Sequence, residues 1–122
     1  MSEHLPAIRY PRHPAHLDAY VEVLGPALAV RFLIAFGGCP MYFPDDPKGR
    51  SMAEALIGPA RLQALGQRMP SRSIEIPVPR VWLILALKAE GKGIAEICRT
   101  LKTTSRNVKD VIRRDMLKAR AA

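Results

Sequence analysis

The stretch IAEICRTLKTTSRNVKDVIRR, residues 94–114, decides the reading of the C-terminal third of this chain. Ile94, Ile97, Cys98 and Leu101 recur at i, i+3, i+4 and i+7, which is one face of a helix. Lys102, Thr103 and Thr104 then break the period as a tight turn does. Thr104 or Ser105 offers a side-chain oxygen to cap a second helix, on which Val108, Val111 and Ile112 restore an apolar stripe turned toward the first. The spacing predicts a helix-turn-helix whose outward face carries Ser105, Arg106, Asn107, Lys109, Asp110 and Arg113. In such a motif the second helix lies in the major groove of duplex DNA with its N-terminal residues against base edges, and Arg and Asn pair bidentately with guanine and adenine. The expected DNA-binding residues are Thr104, Ser105, Arg106, Asn107, Lys109, Arg113 and Arg114. Arg106 and Asn107 sit at the base-reading end, and Arg113 and Arg114 lie two turns later, where the helix leaves the groove. Lys102 and Cys98 stand where many motifs of this kind have Gly and Ala. Cys is small enough for close helix packing, and Lys fits the turn if the backbone there is not forced to positive φ.

Charge follows the same division. Residues 79–122 carry eleven Lys and Arg against Glu90, Glu96, Asp110 and Asp115, which is +7 of the formal +8; the first 78 residues contribute +1. A basic part joined to a near-neutral part is the layout of a DNA-binding domain with an assembly domain, because phosphate neutralisation supplies most non-specific affinity. An anionic membrane surface is the weaker partner, since Thr, Ser and Asn interleave the basic face and no bulky aromatic lies among residues 102–122. The longest apolar run, residues 21–36, is interrupted by Glu22, Gly25, Pro26 and Arg31 and is too short and too charged to span a bilayer. At 122 residues the chain has the size of one domain or of two small lobes. Two cysteines, Cys39 and Cys98, make no disulfide scaffold, and the N-terminus has no signal-peptide layout, so the expected location is the reducing cytoplasm, at the nucleoid.

The expected fold is mainly α. Residues 1–14, with Pro6, Pro11 and Pro14, read as a flexible arm. Residues 15–78 read as a helical dimerisation region with one or two short strands, and residues 79–122 as a three-helix domain containing the motif above. In the middle region, helices over 15–24 and 27–36 meet at Gly25-Pro26, because Pro suits the first helical position and Gly the position past a helix end. Met41-Tyr42-Phe43-Pro44 reads as a short strand closed by Asp45-Asp46-Pro47. Ser51 with Glu54 forms a capping-box pattern opening a helix to Ile57, and a further helix spans 60–67 after Gly58-Pro59. LGPALAVRFL from Leu24 and IGPARLQALG from Ile57 echo each other, which reads as repeated helix punctuation rather than duplication. Ile74 to Val78 alternates apolar and polar residues around Pro77, an edge strand or linker. Residues 81–89 form an apolar helix in which Trp82 is a core residue.

Leu24-Gly25, Phe36-Gly37-Gly38 and Tyr42-Phe43-Pro44, followed by a helix-turn-helix ending in Val111-Ile112-Arg113-Arg114, resemble the Mor/C family of phage transcription activators. The resemblance covers residues 16–44 and 79–115. It implies a homodimer whose N-terminal helices and strand intertwine, with two DNA-reading heads on promoter half-sites and RNA polymerase as a further partner. About thirty-five residues separate Pro44 from Arg80, longer than the family's usual connection, and they include an extra helix and a second Pro-containing strand, either of which could take the place of the strand-linker.

Little here invites catalysis. His13 and His16 are spaced as metal ligands, but Pro14 intervenes and no Cys or acidic ligand sits at suitable spacing. Cys39 has no His close in sequence to act as base, Asp45-Asp46 reads as a solvated turn, and Gly37-Gly38 lacks the preceding strand and the Lys of a phosphate loop. No enzyme, cofactor or metal is expected. The function expected is a sequence-specific, DNA-binding transcription regulator of phage type, an activator acting as a homodimer. The rival is a structural phage or nucleoid adaptor that holds DNA without a promoter role, and a third reading is a protein-interaction module with an incidental basic face.

Overall fold

The computed structural model describes residues 7–121. The fold is mainly helical with one two-stranded antiparallel sheet, as the composition and periodicity predict. A short 3-10 turn, Ala15–Leu17, leads into α1 (Asp18–Leu24) and α2 (Pro26–Phe36); then come β1 (Pro40–Tyr42), α3 (Met52–Ile57), α4 (Pro59–Gln67), β2 (Ser73–Glu75), α5 (Arg80–Ala89), α6 (Ile94–Leu101) and α7 (Ser105–Ala121). The chain forms two compact units, residues 13–79 and residues 80–121 with 7–12. Among the described residues no single helix is long and apolar enough to cross a membrane.

The first unit is built of two equivalent halves. Gly25-Pro26 recurs 33 residues later as Gly58-Pro59, and both pairs turn the same corner: the glycines lie at φ 78, ψ 157 and φ 86, ψ 160, and each proline opens the next helix. Only glycine adopts that backbone freely, and proline lacks the N–H that a helix start would leave unsatisfied. Gly25 N–H donates to Val21 O at 2.8 Å and Gly58 N–H to Glu54 O at 2.7 Å, closing α1 and α3 alike. The same offset relates the strands. Met41 pairs with Ile74, its own counterpart, and is flanked by Pro40 opposite Glu75 and Tyr42 opposite Ser73. Phe43 N–H donates to Arg72 O at 2.7 Å while Ile76 N–H donates to Cys39 O at 3.0 Å, two bonds that exchange under the same shift. In the packing, α1 meets α2 and α4, and α3 meets α4 and α2, so swapping the halves maps the arrangement onto itself. A pseudo-two-fold axis therefore passes through the Met41–Ile74 pair. The echo of LGPALAVRFL in IGPARLQALG is thus structural equivalence, and its reading as mere punctuation is corrected.

Counterpart positions are buried together: Tyr20 with Ala53, Leu24 with Ile57, Ala29 with Leu62, Phe32 with Leu65, and Phe43 with Ile76. Their sizes are complementary rather than equal. Where the first half has Leu33, the second has Gly66, and a Cβ on Gly66 would lie 2.9 Å from Phe43 Cβ. Burial also pushes the Tyr20 phenol up to about 12. A dimerisation region of short helices this rich in Leu, Ile, Val and Phe would call for a second chain if one chain could not cover them. Instead Leu17, Val30, Phe32, Leu33 and Ile57 are at most 2% exposed within one chain, so that argument for a dimer loses its premise. At α3 the capping box is half formed: Ser51 Oγ accepts from Glu54 N–H at 3.0 Å, but Glu54 reaches Gly49 N–H at 2.9 Å.

In the second unit α5, α6 and α7 pack on one another around Trp82, Leu83, Ile84, Ala86, Leu87, Ile97, Val108 and Val111. The C-terminal end of α5 is sealed by Gly91 at φ 90, with Gly91 N–H on Lys88 O at 2.9 Å and Lys92 N–H on Leu87 O at 3.0 Å, the paired bonds of a Schellman cap. The expected flexible arm, 1–14, needs correction in its described part. Residues 1–6 lie outside the described residues, but Tyr10 Oη donates to Glu90 Oε2 at 2.7 Å and Trp82 Nε1 donates to Pro11 O at 3.0 Å, so 7–12 are fastened to α5. The sequence hid this because a Pro-rich segment without periodicity gives no sign of a distant Trp seeking an acceptor.

Candidate nucleic-acid interface

The basic charge concentrates further once the arm joins the second unit. Residues 7–12 and 80–121 hold thirteen Lys and Arg against four carboxylates, +9, whereas residues 13–79 hold six of each and are neutral. The turn between α6 and α7 is three residues long, Lys102 to Thr104. Lys102 lies at φ 55, ψ 49, the left-handed region, with its own N–H and that of Thr103 both directed at Cys98 O. The condition set for a lysine here, that φ not be positive, is therefore not met. The turn keeps glycine's geometry with a lysine in it, at a cost of about 1–2 kcal/mol. Lys102→Gly is accordingly expected to raise stability by about 1 kcal/mol, read as a higher midpoint in thermal or denaturant unfolding.

Thr104, not Ser105, caps α7: its Oγ1 accepts from Asn107 N–H at 3.1 Å. Val108 and Val111 turn inward and are buried, with Ile112 half-buried beside them. By the helical period Arg106, Lys109, Asp110 and Arg113 then share the opposite, solvent face, while Asn107 and Arg114 lie together on a flank. Ser105, Arg106, Asn107, Lys109, Arg113 and Arg114 are all exposed. Among the described residues Arg106, Lys109 and Arg114 form no ion pair, whereas Arg113 holds Asp110 Oδ1 at 2.9 Å. Asn107 Nδ2 donates to Thr103 Oγ1 at 2.9 Å. That bond ties the amide back to the turn, so a bidentate contact with adenine requires it to open. Thr103 was missed by the sequence reading, although its i, i+4 spacing to Asn107 is the signal that finds it. Arg9 and Arg12, exposed on the fastened arm, also escaped notice because the arm's attachment did.

The remaining chemistry-bearing residues stay apart. His13 Nε2 meets Asp18 Oδ1 at 2.8 Å at the start of α1, and no group of three His, Cys, Asp or Glu able to hold a metal ion occurs among the described residues. Cys39 is exposed and Cys98 half-buried, both free. Asp45 pairs with Arg72 on the surface. Compared with known protein families, curated proteins and solved structures, the chain matches none.

Proposed function

We propose that this protein is a sequence-specific DNA-binding transcription regulator of phage type, with α6, the turn and α7 acting as a helix-turn-helix and α7 entering the major groove. The observation that carries the reading is the first two turns of α7. Arg106 and Lys109, without an ion pair among the described residues, stand exposed on the face opposite the buried Val108 and Val111, in a unit of charge +9. Phosphate neutralisation by such a unit supplies affinity, and a free guanidinium at the start of the helix supplies guanine readout. The resemblance to the Mor/C activators favours promoter sites and contact with RNA polymerase. One observation favours the structural-adaptor reading: Asn107 is already bonded to the turn and Arg113 to Asp110 within the helix, which leaves Arg106 as the principal base-reading group.

Selection of random-sequence duplexes on the full chain tests the proposal. Enrichment of one motif is expected, with affinity falling steeply as salt rises, about 0.9 in the log-log slope for each phosphate neutralised. Tight, salt-sensitive binding without enrichment makes the protein a DNA-holding adaptor. Failure to bind any duplex contradicts both.

A further inference from the structure

We infer that the N-terminal unit is its own two-fold partner, so that the chain works as a monomer presenting one reading head to a single, non-palindromic DNA site. In a two-fold oligomer the same patch serves both subunits, and the symmetry axis relates two DNA-binding heads to two half-sites of a palindrome. Here the axis lies inside one chain. It relates α1, α2 and β1 to α3, α4 and β2 and passes through Met41 and its counterpart Ile74. One edge of β1 is paired with one edge of β2, and the counterpart apolar residues of the four helices are buried within the one chain, with Tyr42, Met52, Leu56 and Val78 left exposed.

The axis does not extend to the heads. The second half runs from β2 into α5 and the basic unit, whereas the first half runs from β1 through the Asp45-Asp46-Pro47 turn into α3. The halves have also diverged in shape, with Gly66 accommodating Phe43 where its counterpart is Leu33. Within the C-terminal unit, an exposed apolar groove is formed by Ile94, Ile112, Met116 and Leu117. It is bordered by Lys109, Arg113 and Arg120, and a two-fold contact through it would bring the cations of one copy near those of the other. The monomer rests on the fold alone, and the single site rests on the DNA reading above.

Two measurements on the full chain separate these. Sedimentation at micromolar concentration without DNA is expected to give 13.5 kDa, and a species of twice that mass overturns the monomer. With the duplex obtained by selection, one chain per duplex, a non-cooperative isotherm and a motif lacking inverted symmetry are expected. Two chains on an inverted repeat overturn the single-site assignment even if the free protein is a monomer. Absence of binding to every duplex removes the site together with the DNA reading, and sedimentation still decides whether the unit closes on itself.

Discussion

Trp82→Ala is expected to lower the stability of the C-terminal unit by about 3 to 5 kcal/mol, the range for removing a large buried aromatic. Trp82 is 3% exposed and lies in the first turn of α5, where its ring joins the core that sets α6 and α7 against α5. Its indole N–H also holds the arm through Pro11 O at 3.0 Å. Trp82→Phe separates the two contributions. It keeps most of the apolar volume but loses the hydrogen bond, which is worth about 0.5 to 1.5 kcal/mol. Denaturant unfolding gives the first effect, and faster proteolysis of residues 7–12 in Trp82→Phe gives the second. An unchanged midpoint for Trp82→Ala would contradict the packing described for this unit.

Gly66→Ala is expected to destabilise the N-terminal unit by about 1 to 3 kcal/mol through overpacking. The sign is diagnostic. In an unobstructed helix interior the same change stabilises by about 1 kcal/mol, but here the added Cβ meets Phe43 Cβ at 2.9 Å, just past β1, where Phe43 N–H is pinned on Arg72 O. Phe43→Leu in the same chain should leave most of the loss in place, because leucine keeps the Cβ that makes the contact. A stabilised Gly66→Ala, measured by denaturant midpoint, would mean that the two halves do not pack as closely as the pseudo-two-fold arrangement requires.

The helices were legible because their signals are local. Gly25-Pro26, Gly58-Pro59, the Ser51–Glu54 cap and the stripe from Ile94 to Ile112 each act within a turn or two, and the helices they predict are present with ends shifted by a residue or so, except that the helix expected from Ala15 begins at Asp18 after a 3-10 turn. The strands were legible as segments, with β1 and β2 starting a residue before the predicted runs, but not as partners of each other. Their pairing depends on a symmetry that only four helices packed together express, since the sequence of the two halves agrees at little beyond Gly-Pro-Ala and a proline at 44 and 77. The left-handed Lys102 was illegible for another reason. Its conformation is imposed by the two N–H groups converging on Cys98 O, and nothing in a lysine announces it. Of the candidate interface, exposure of Arg106 and Lys109 followed from periodicity, while the bonds that occupy Asn107 and Arg113 depend on rotamers that periodicity does not set.

A regulator differs from a DNA clamp in whether the first turn of α7 reads bases. The most direct measurement is the affinity of the native chain and of Arg106→Ala for the selected duplex and for a scrambled duplex of equal length and salt. Arg106 is exposed, so the variant should fold as the native chain does. The proposal predicts a loss of about 1 to 3 kcal/mol on the selected duplex and little on the scrambled one, whereas Arg114→Ala, on the flank, should weaken both about equally. Equal losses on both duplexes for Arg106→Ala would make α7 a phosphate clamp and contradict sequence-specific regulation.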